Sequence, residues 1–135
     1  GSILATKMSK EMNMPVCFNR KEVKDHGEGG SLIGAKPKGK VLVVDDVISS
    51  GLAIRESLDF LKPFDIELVG ALVTLDRQEI GQNSDLSASA ELQKDGLNVF
   101  SVISLDDLLD ANELIDSSSI ETIRDYRNTY QGKNV

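Results

Sequence analysis

The chain reads as an α/β protein, a mainly parallel sheet flanked by helices, and three observations carry that expectation. Strand-like and helix-like patterns alternate along its length. Ile66 to Leu75 is nearly continuous in apolar residues, as suits a parallel strand covered on both faces. Val41-Leu42-Val43-Val44 runs into Asp45-Asp46, then a Ser49-Ser50-Gly51 turn, then a helical pattern. Open α/β sheets bind ligands at the carboxyl end of such a strand.

In order, Ile3 to Met12 opens the chain as a helix with Ile3, Leu4, Met8 and Met12 on its apolar face. It has no capping residue and no strand ahead of it, so the chain reads as a piece of a larger domain. Pro15 to Lys21 reads as a strand emerging into charge. Glu22 to Lys38, rich in Gly, Lys, Asp and Glu, reads as a long loop. Lys40 to Asp46 is a second strand. Leu52 to Lys62 is a helix with Leu52, Ile54, Leu58 and Leu61 apolar, stopped by Pro63. Ile66 to Leu75 is the third strand, Asp85 to Lys94 a helix closed by Asp95-Gly96, and Asn98 to Ile103 the fourth strand. Ser104 is placed to cap a short helix with Leu105, Leu108 and Leu109 inward. Ser118 and Glu121 have capping-box spacing ahead of a final helix made amphipathic by Ile120, Ile123, Tyr126 and Tyr130. There is no internal repeat and no low-complexity tract, so residues 1–135 read as one domain.

A 135-residue chain that is 40% hydrophobic has the material for one core. Its net charge of −7 argues against nucleic acid and membrane surfaces as general partners. The single cysteine, Cys17, permits no internal disulfide and fits a reducing compartment; its apolar surroundings suit packing rather than catalysis. No apolar stretch approaches the roughly 20 residues of a membrane span. No basic segment followed by an apolar core marks a signal peptide. A cytoplasmic protein is the expectation.

The turn after Asp46 carries the chemistry. It can aim several backbone N–H groups and the Ser49 and Ser50 hydroxyls at one phosphate, beside the positive end of a helix dipole. Asp45 and Asp46 would repel a bare phosphate, so they suit sugar hydroxyls or a metal. Together these features describe a site for a phosphorylated sugar. A plain buried strand with a charged end is the bland alternative. A bacterial receiver domain is the sharper one, since Val-Leu-Val-Val-Asp-Asp also resembles its first strand. However, Asp76, which ends the next strand-like run, is followed by Arg77-Gln78-Glu79, and the segment ahead of Val41 has no place in a receiver. Gly34 to Lys40 matches the first seven positions of a Walker A pattern, but Val41 stands where a magnesium-binding Ser or Thr is required. The segment also leads into a strand rather than opening a helix.

Arg20, Lys21, Lys24 and His26 bring three cations and the only histidine to a glycine-rich stretch. Such a loop suits a lid that closes over an anion and excludes water; a solvated surface loop is the ordinary alternative.

The strand–acid pair–turn motif resembles the phosphoribosyl pyrophosphate (PRPP) signature of type I phosphoribosyltransferases. Cys17 to Gly30 is similar to the catalytic loop of the orotate phosphoribosyltransferases of that family, and Ala71 to Glu79 to the strand that supplies their orotate-binding arginine. The resemblance implies the type I core without its N-terminal strand and hood. It implies transfer of ribose 5-phosphate from PRPP to orotate, giving orotidine 5′-monophosphate and pyrophosphate. Asp45 and Asp46 would contact the ribose hydroxyls, directly or through Mg2+. Val47, Ile48, Ser49, Ser50, Gly51, Leu52 and Ala53 would form the PRPP strand and turn, with the 5′-phosphate on the Ser49–Ala53 part. Arg20, Lys21, Lys24 and His26 would meet pyrophosphate, with Lys24, Asp45 and Asp46 catalytic. Ser49 and Arg77 would meet orotate. The family also implies a homodimer whose loops close over the neighbouring site. Ser49 replaces the usual Thr and keeps a hydroxyl, whereas Leu52 replaces the usual Thr or Ser and leaves only an amide. The missing N-terminal part implies that these residues alone are inactive or nearly so. A non-catalytic PRPP-binding regulator and a transferase for another base, such as a purine, are the alternatives on the same fold.

Overall fold

The computed structural model describes residues 1–19 and 32–134. Arg20, Lys21, Lys24 and His26 lie outside the described residues. The elements are α1 (Ser2–Met12), β1 (Cys17–Asn19), β2 (Leu32–Gly34), β3 (Gly39–Ile48), α2 (Leu52–Leu61), β4 (Ile66–Asp76), α3 (Ala88–Lys94), β5 (Val99–Ser104), α4 (Leu105–Asp110), a 3-10 turn (Asn112–Leu114) and α5 (Ser117–Tyr130).

β3, β4 and β5 form a parallel sheet in that order, the α/β architecture expected from the alternating patterns. Two right-handed crossovers advancing in one direction place both connecting helices on the same face. Accordingly Ile54 of α2 and Ala88 and Leu92 of α3 share one core with Ala71 and Val73, which are fully buried. Val43, Ala71 and Val99 lie in register across the three strands beneath those helices. Each of the larger buried side chains, Ile48, Ile54 and Leu92, contributes on the order of 1.5–3 kcal/mol by leaving water.

The opposite face is less covered than the apolar sequence of β4 suggests. It carries Val44, Leu72 and Phe100 in register, with Phe100 49% and Val102 74% exposed. α1 packs beside β3 but buries none of its residues, and Ile3 and Met12 of the expected apolar face are exposed.

A bulge sets the phase of β4. Val41 pairs with Leu68 but Leu42 with Gly70, so Val69 is the extra residue. Leu68 and Ala71, three apart, therefore fall in register with Val41 and Val43 on one face. Gly70 is needed here because a Cβ would lie 2.5 Å from the Asn98 carbonyl oxygen.

Several boundaries differ from the sequence reading. Of the strand expected over Pro15 to Lys21, Pro15 and Val16 lie outside β1 and Arg20 and Lys21 lie outside the described residues; β1 pairs antiparallel with β2 outside the main sheet. β2 itself lies within the expected loop; a two-residue apolar run, Leu32-Ile33, becomes a strand only because β1 offers a partner. Gly34, at φ +102, ends it where a Cβ would come within 2.4 Å of the Val16 carbonyl. The helix expected from Asp85 starts at Ala88, since the Ser87 side chain accepts the Ala90 N–H as N-cap. The Asp85 carbonyl accepts the Lys133 N–H and the Ser87 N–H donates to the Lys133 carbonyl, pairing Leu86 with the returning chain instead. Asp116, not Ser118, caps α5 by accepting the Ser119 N–H. The Ser104 cap is as expected and forms a full capping box with Asp107.

Candidate active site

β3 continues to Ile48, so Asp45 and Asp46 lie inside its last stretch rather than at its tip. The Asp46 N–H donates to Asp45 Oδ1 at 2.9 Å and the Val47 N–H to Asp46 Oδ1 at 3.0 Å. The amino group of Gly1 lies 3.2 Å from Asp45 Oδ1 and 3.4 Å from Asp46 Oδ2. Hydrogen bonding with Asp45 holds the Asp46 carboxyl below its ordinary value. Among the described residues no group of three or more His, Cys, Asp or Glu could enclose a metal. A two-carboxylate set fits magnesium, which keeps waters and takes the rest of its shell from substrate oxygens.

Beyond Ile48 the chain turns through Ser49, Ser50 and Gly51 into α2. Gly51 is the N-cap at φ +81, and no side chain caps the helix. The first N–H groups of α2, those of Leu52, Ala53 and Ile54, have no intrahelical acceptors. Gly51 is buried and a Cβ there would sit 3.3 Å from the Ala88 Cβ, so the turn rests directly on α3. Leu52 departs from its expected place on the apolar face of α2: it is 52% exposed, at the opening of the turn. An uncapped helix start with a glycine entry and two nearby hydroxyls is an anion cradle.

Arg77 is fixed to this edge. Its N–H donates to the Ile48 carbonyl at 3.1 Å, one residue before the turn. The next residue, Gln78, is buried with φ +54 and clamps the end of β4 onto α4. Its N–H donates to Asp76 at 2.8 Å, its side-chain amide donates to Asp106 at 3.0 Å, and it accepts the Asp106 N–H at 2.9 Å. The Arg77 guanidinium pairs with Glu79 and lies over Tyr126 of α5. The structure therefore brings Asp45, Asp46, the Ser49–Ala53 turn and Arg77 to one sheet edge. The loop cations fall outside the described residues.

The phosphoribosyl transferase domain profile matches residues 1–103. The chain belongs to the phosphoribosyl transferase domain family. The receiver alternative is thereby set aside. The chain is 49% identical over 124 residues to an orotate phosphoribosyltransferase of Proteus mirabilis, covering 89% of this chain and 57% of that protein. A Photorhabdus laumondii protein of the same name is 53% identical over 100 residues, covering 73% of this chain and 46% of its own length. The chain thus spans about half the length of the curated relatives it matches. Among phosphoribosyl transferase folds, the orotate phosphoribosyltransferase crystal structure from Francisella tularensis superposes with a TM-score of 0.69 at 30% identity. That match covers 97% of this chain and 64% of the other. Leishmania donovani UMP synthase gives 0.71 at 28% identity, covering 94% of this chain and 27% of the synthase.

Around this candidate site, sequence reasoning missed the supports. Glu91 is 4% exposed on α3 and accepts from Arg55 Nη2 at 2.6 Å, Ser84 Oγ at 2.7 Å, and the Asn83 and Gln82 N–H groups at 3.0 and 3.1 Å. Burial alone would raise its pKa, but the bonds from Ser84, Asn83, Arg55 and Gln82 outweigh this and hold it at about 2. The available signal was the small-residue run Ser87-Ala88-Ser89-Ala90 around a single acid, which suits close burial better than an exposed helix.

Proposed function

We propose that this chain forms most of the catalytic core of an orotate phosphoribosyltransferase. It transfers ribose 5-phosphate from PRPP to orotate, giving orotidine 5′-monophosphate and pyrophosphate on the de novo route to UMP. The observation that carries the reading is the strand β3–turn–α2 unit, with two acids beside an uncapped helix start and Arg77 one hydrogen bond away. Similarity to proteins named for orotate supports that base over a purine.

In this reading the Gly51, Leu52 and Ala53 N–H groups and the Ser49 and Ser50 hydroxyls hold the 5′-phosphate, and Asp45 and Asp46 hold the ribose hydroxyls. Breaking the anomeric bond builds positive charge on the ribose and negative charge on pyrophosphate. The paired carboxylates oppose the first change, and the cations of the Arg20–His26 loop oppose the second. Magnesium, when bound, adds charge neutralisation at the pyrophosphate, with Asp45 and Asp46 as its protein ligands, directly or through water. Arg77 presents a planar fork to the orotate carboxylate, with Ser49 beside it.

The same reading makes the protein a cytoplasmic homodimer whose loops serve the neighbouring site. Among the described residues no helix is long and apolar enough to cross a membrane. The test is orotidine 5′-monophosphate formation by the full-length protein from PRPP, Mg2+ and orotate, with adenine and hypoxanthine offered in parallel. Turnover of a purine, or PRPP binding without turnover of any base, would overturn the assignment.

A further inference from the structure

Glu91 lies behind the phosphate turn, and three chains of contact run from it to that turn. First, Arg55, which donates to Glu91, sits in the first turn of α2, where its own N–H donates to the Gly51 carbonyl at 3.1 Å. The same Arg55 Nη2 reaches Asp95 at 2.9 Å, so α2 is tied to both ends of the Glu91–Asp95 segment. Second, Glu91 accepts two successive N–H groups and a hydroxyl from residues 82–84, which ties that loop to α3. From that loop the Gln82 side-chain amide donates to the Ser50 carbonyl at 3.4 Å. Third, Ala88 and Leu92, flanking Glu91 on α3, are the atoms against which Gly51 is packed.

The second chain sets a direction. A trans peptide points its C=O and N–H in opposite senses. Drawing the Ser50 carbonyl toward Gln82 therefore turns the N–H of Gly51, on the same peptide, to the side away from Gln82. A buried carboxylate is an expensive way to hold two helices together, since apolar packing of equal volume is often as stable. What a carboxylate provides and an apolar side chain does not is several fixed acceptor directions at once. Space is also reserved for it: a Cβ at Gly81 would lie 2.7 Å from the Glu91 carboxyl carbon.

We propose that Glu91 is a positioning residue for phosphate binding, acting through Arg55 and Gln82 to aim the Gly51 N–H and the start of α2 at the 5′-phosphate. The inference rests on the phosphoribosyltransferase reading of the turn. It assigns Gln82, an exposed side chain far from the core, a measurable role in substrate affinity.

The test uses the full-length protein and calorimetric titration with PRPP, ribose 5-phosphate and pyrophosphate, alongside steady-state kinetics. Glu91→Gln should weaken ribose 5-phosphate and PRPP binding about tenfold, leaving pyrophosphate binding and the KM for orotate within twofold. Gln82→Ala should weaken ribose 5-phosphate about threefold with no change in Tm. A purely structural Glu91 would lower Tm while leaving the affinities at 20 °C unchanged, and that result overturns the proposal. So does wild-type ribose 5-phosphate affinity in Gln82→Ala, whatever Glu91→Gln does to folding. Failure of the unsubstituted protein to bind PRPP would instead sink the phosphoribosyltransferase reading itself.

Discussion

The Arg77 guanidinium lies over the Tyr126 ring, 5.0 Å from its centre, and pairs with Glu79 at 2.7 Å. The Tyr126 hydroxyl bonds both partners, accepting from Arg77 and donating to Glu79. A residue proposed to hold orotate is thus oriented by the C-terminal helix, while its side chain stays 37% exposed. Arg77→Lys keeps the charge but loses the planar fork, and should raise the KM for orotate by more than tenfold, worth about 2 kcal/mol. Tyr126→Phe keeps the ring and loses the hydroxyl; a rise of a few-fold, about 1 kcal/mol, is expected. Kinetics with each substrate varied in turn decide the matter, because an equal rise in the KM for PRPP would mark general damage.

Gly51→Ala tests the turn. At φ +81 any side chain is strained by about 1–2 kcal/mol, and the added methyl would meet Ala88. Urea denaturation should show that loss, and PRPP affinity should fall about tenfold. Gly39→Ala is the matched control. Gly39 also has positive φ, +64, but a Cβ there meets nothing within 4 Å and lies at the far end of β3. It should lose stability and keep PRPP affinity; a parallel loss of affinity in both variants would mean that the turn is not the site.

Glu91 makes stability pH-dependent with a definite sign. Its carboxyl lies at about 2 in the folded chain against an ordinary 4.5. The folded state therefore binds fewer protons, and its contribution is complete above about 4.5 and lost as pH falls toward 2. Glu91→Gln should cost on the order of 2 kcal/mol at neutral pH. The gap between the two proteins should close through that acid window, read by denaturation at a series of pH values. A gap that widens on acidification would show that the carboxyl is not stabilised in its charged form.

What the sequence made legible was local. The strand–acid pair–turn unit occupies eleven consecutive residues, Val41 to Gly51, and the structure keeps its order, with the strand carried two residues past the acid pair to Ile48. Ser104 likewise announced its own cap. The supports were illegible because they join distant residues: Arg55 and Glu91 are 36 apart, Arg77 and Tyr126 49 apart. No periodicity signals such a pair. β2 depended on a partner strand in the same way, and α3 lost its expected first turn because Asp85 and Leu86 found Lys133 instead. Phe100 and Val102 lie on the sheet face away from the two crossover helices, and the crossover handedness that decides which face those helices cover is not encoded in a strand's own sequence.

The loop cations allow a kinetic test of their own. Lys24 is placed by resemblance against pyrophosphate, where negative charge grows as the anomeric bond breaks. A cation acting mainly on that growing charge lowers the barrier more than it aids ground-state binding. Lys24→Ala in the full-length protein should therefore cut kcat by at least tenfold with orotate affinity nearly unchanged; an undiminished kcat would make Lys24 an ordinary surface residue. If each loop closes over the neighbouring subunit, Lys24 and Arg77 act at one site from different chains. A mixed dimer of Lys24→Ala and Arg77→Ala subunits then has one site with both lesions and one with neither. Mixing the two impaired parents should restore up to half the activity per mixed dimer, measured as orotidine 5′-monophosphate formation after subunit exchange. If exchange is verified by mass and no activity returns, the loop serves its own subunit.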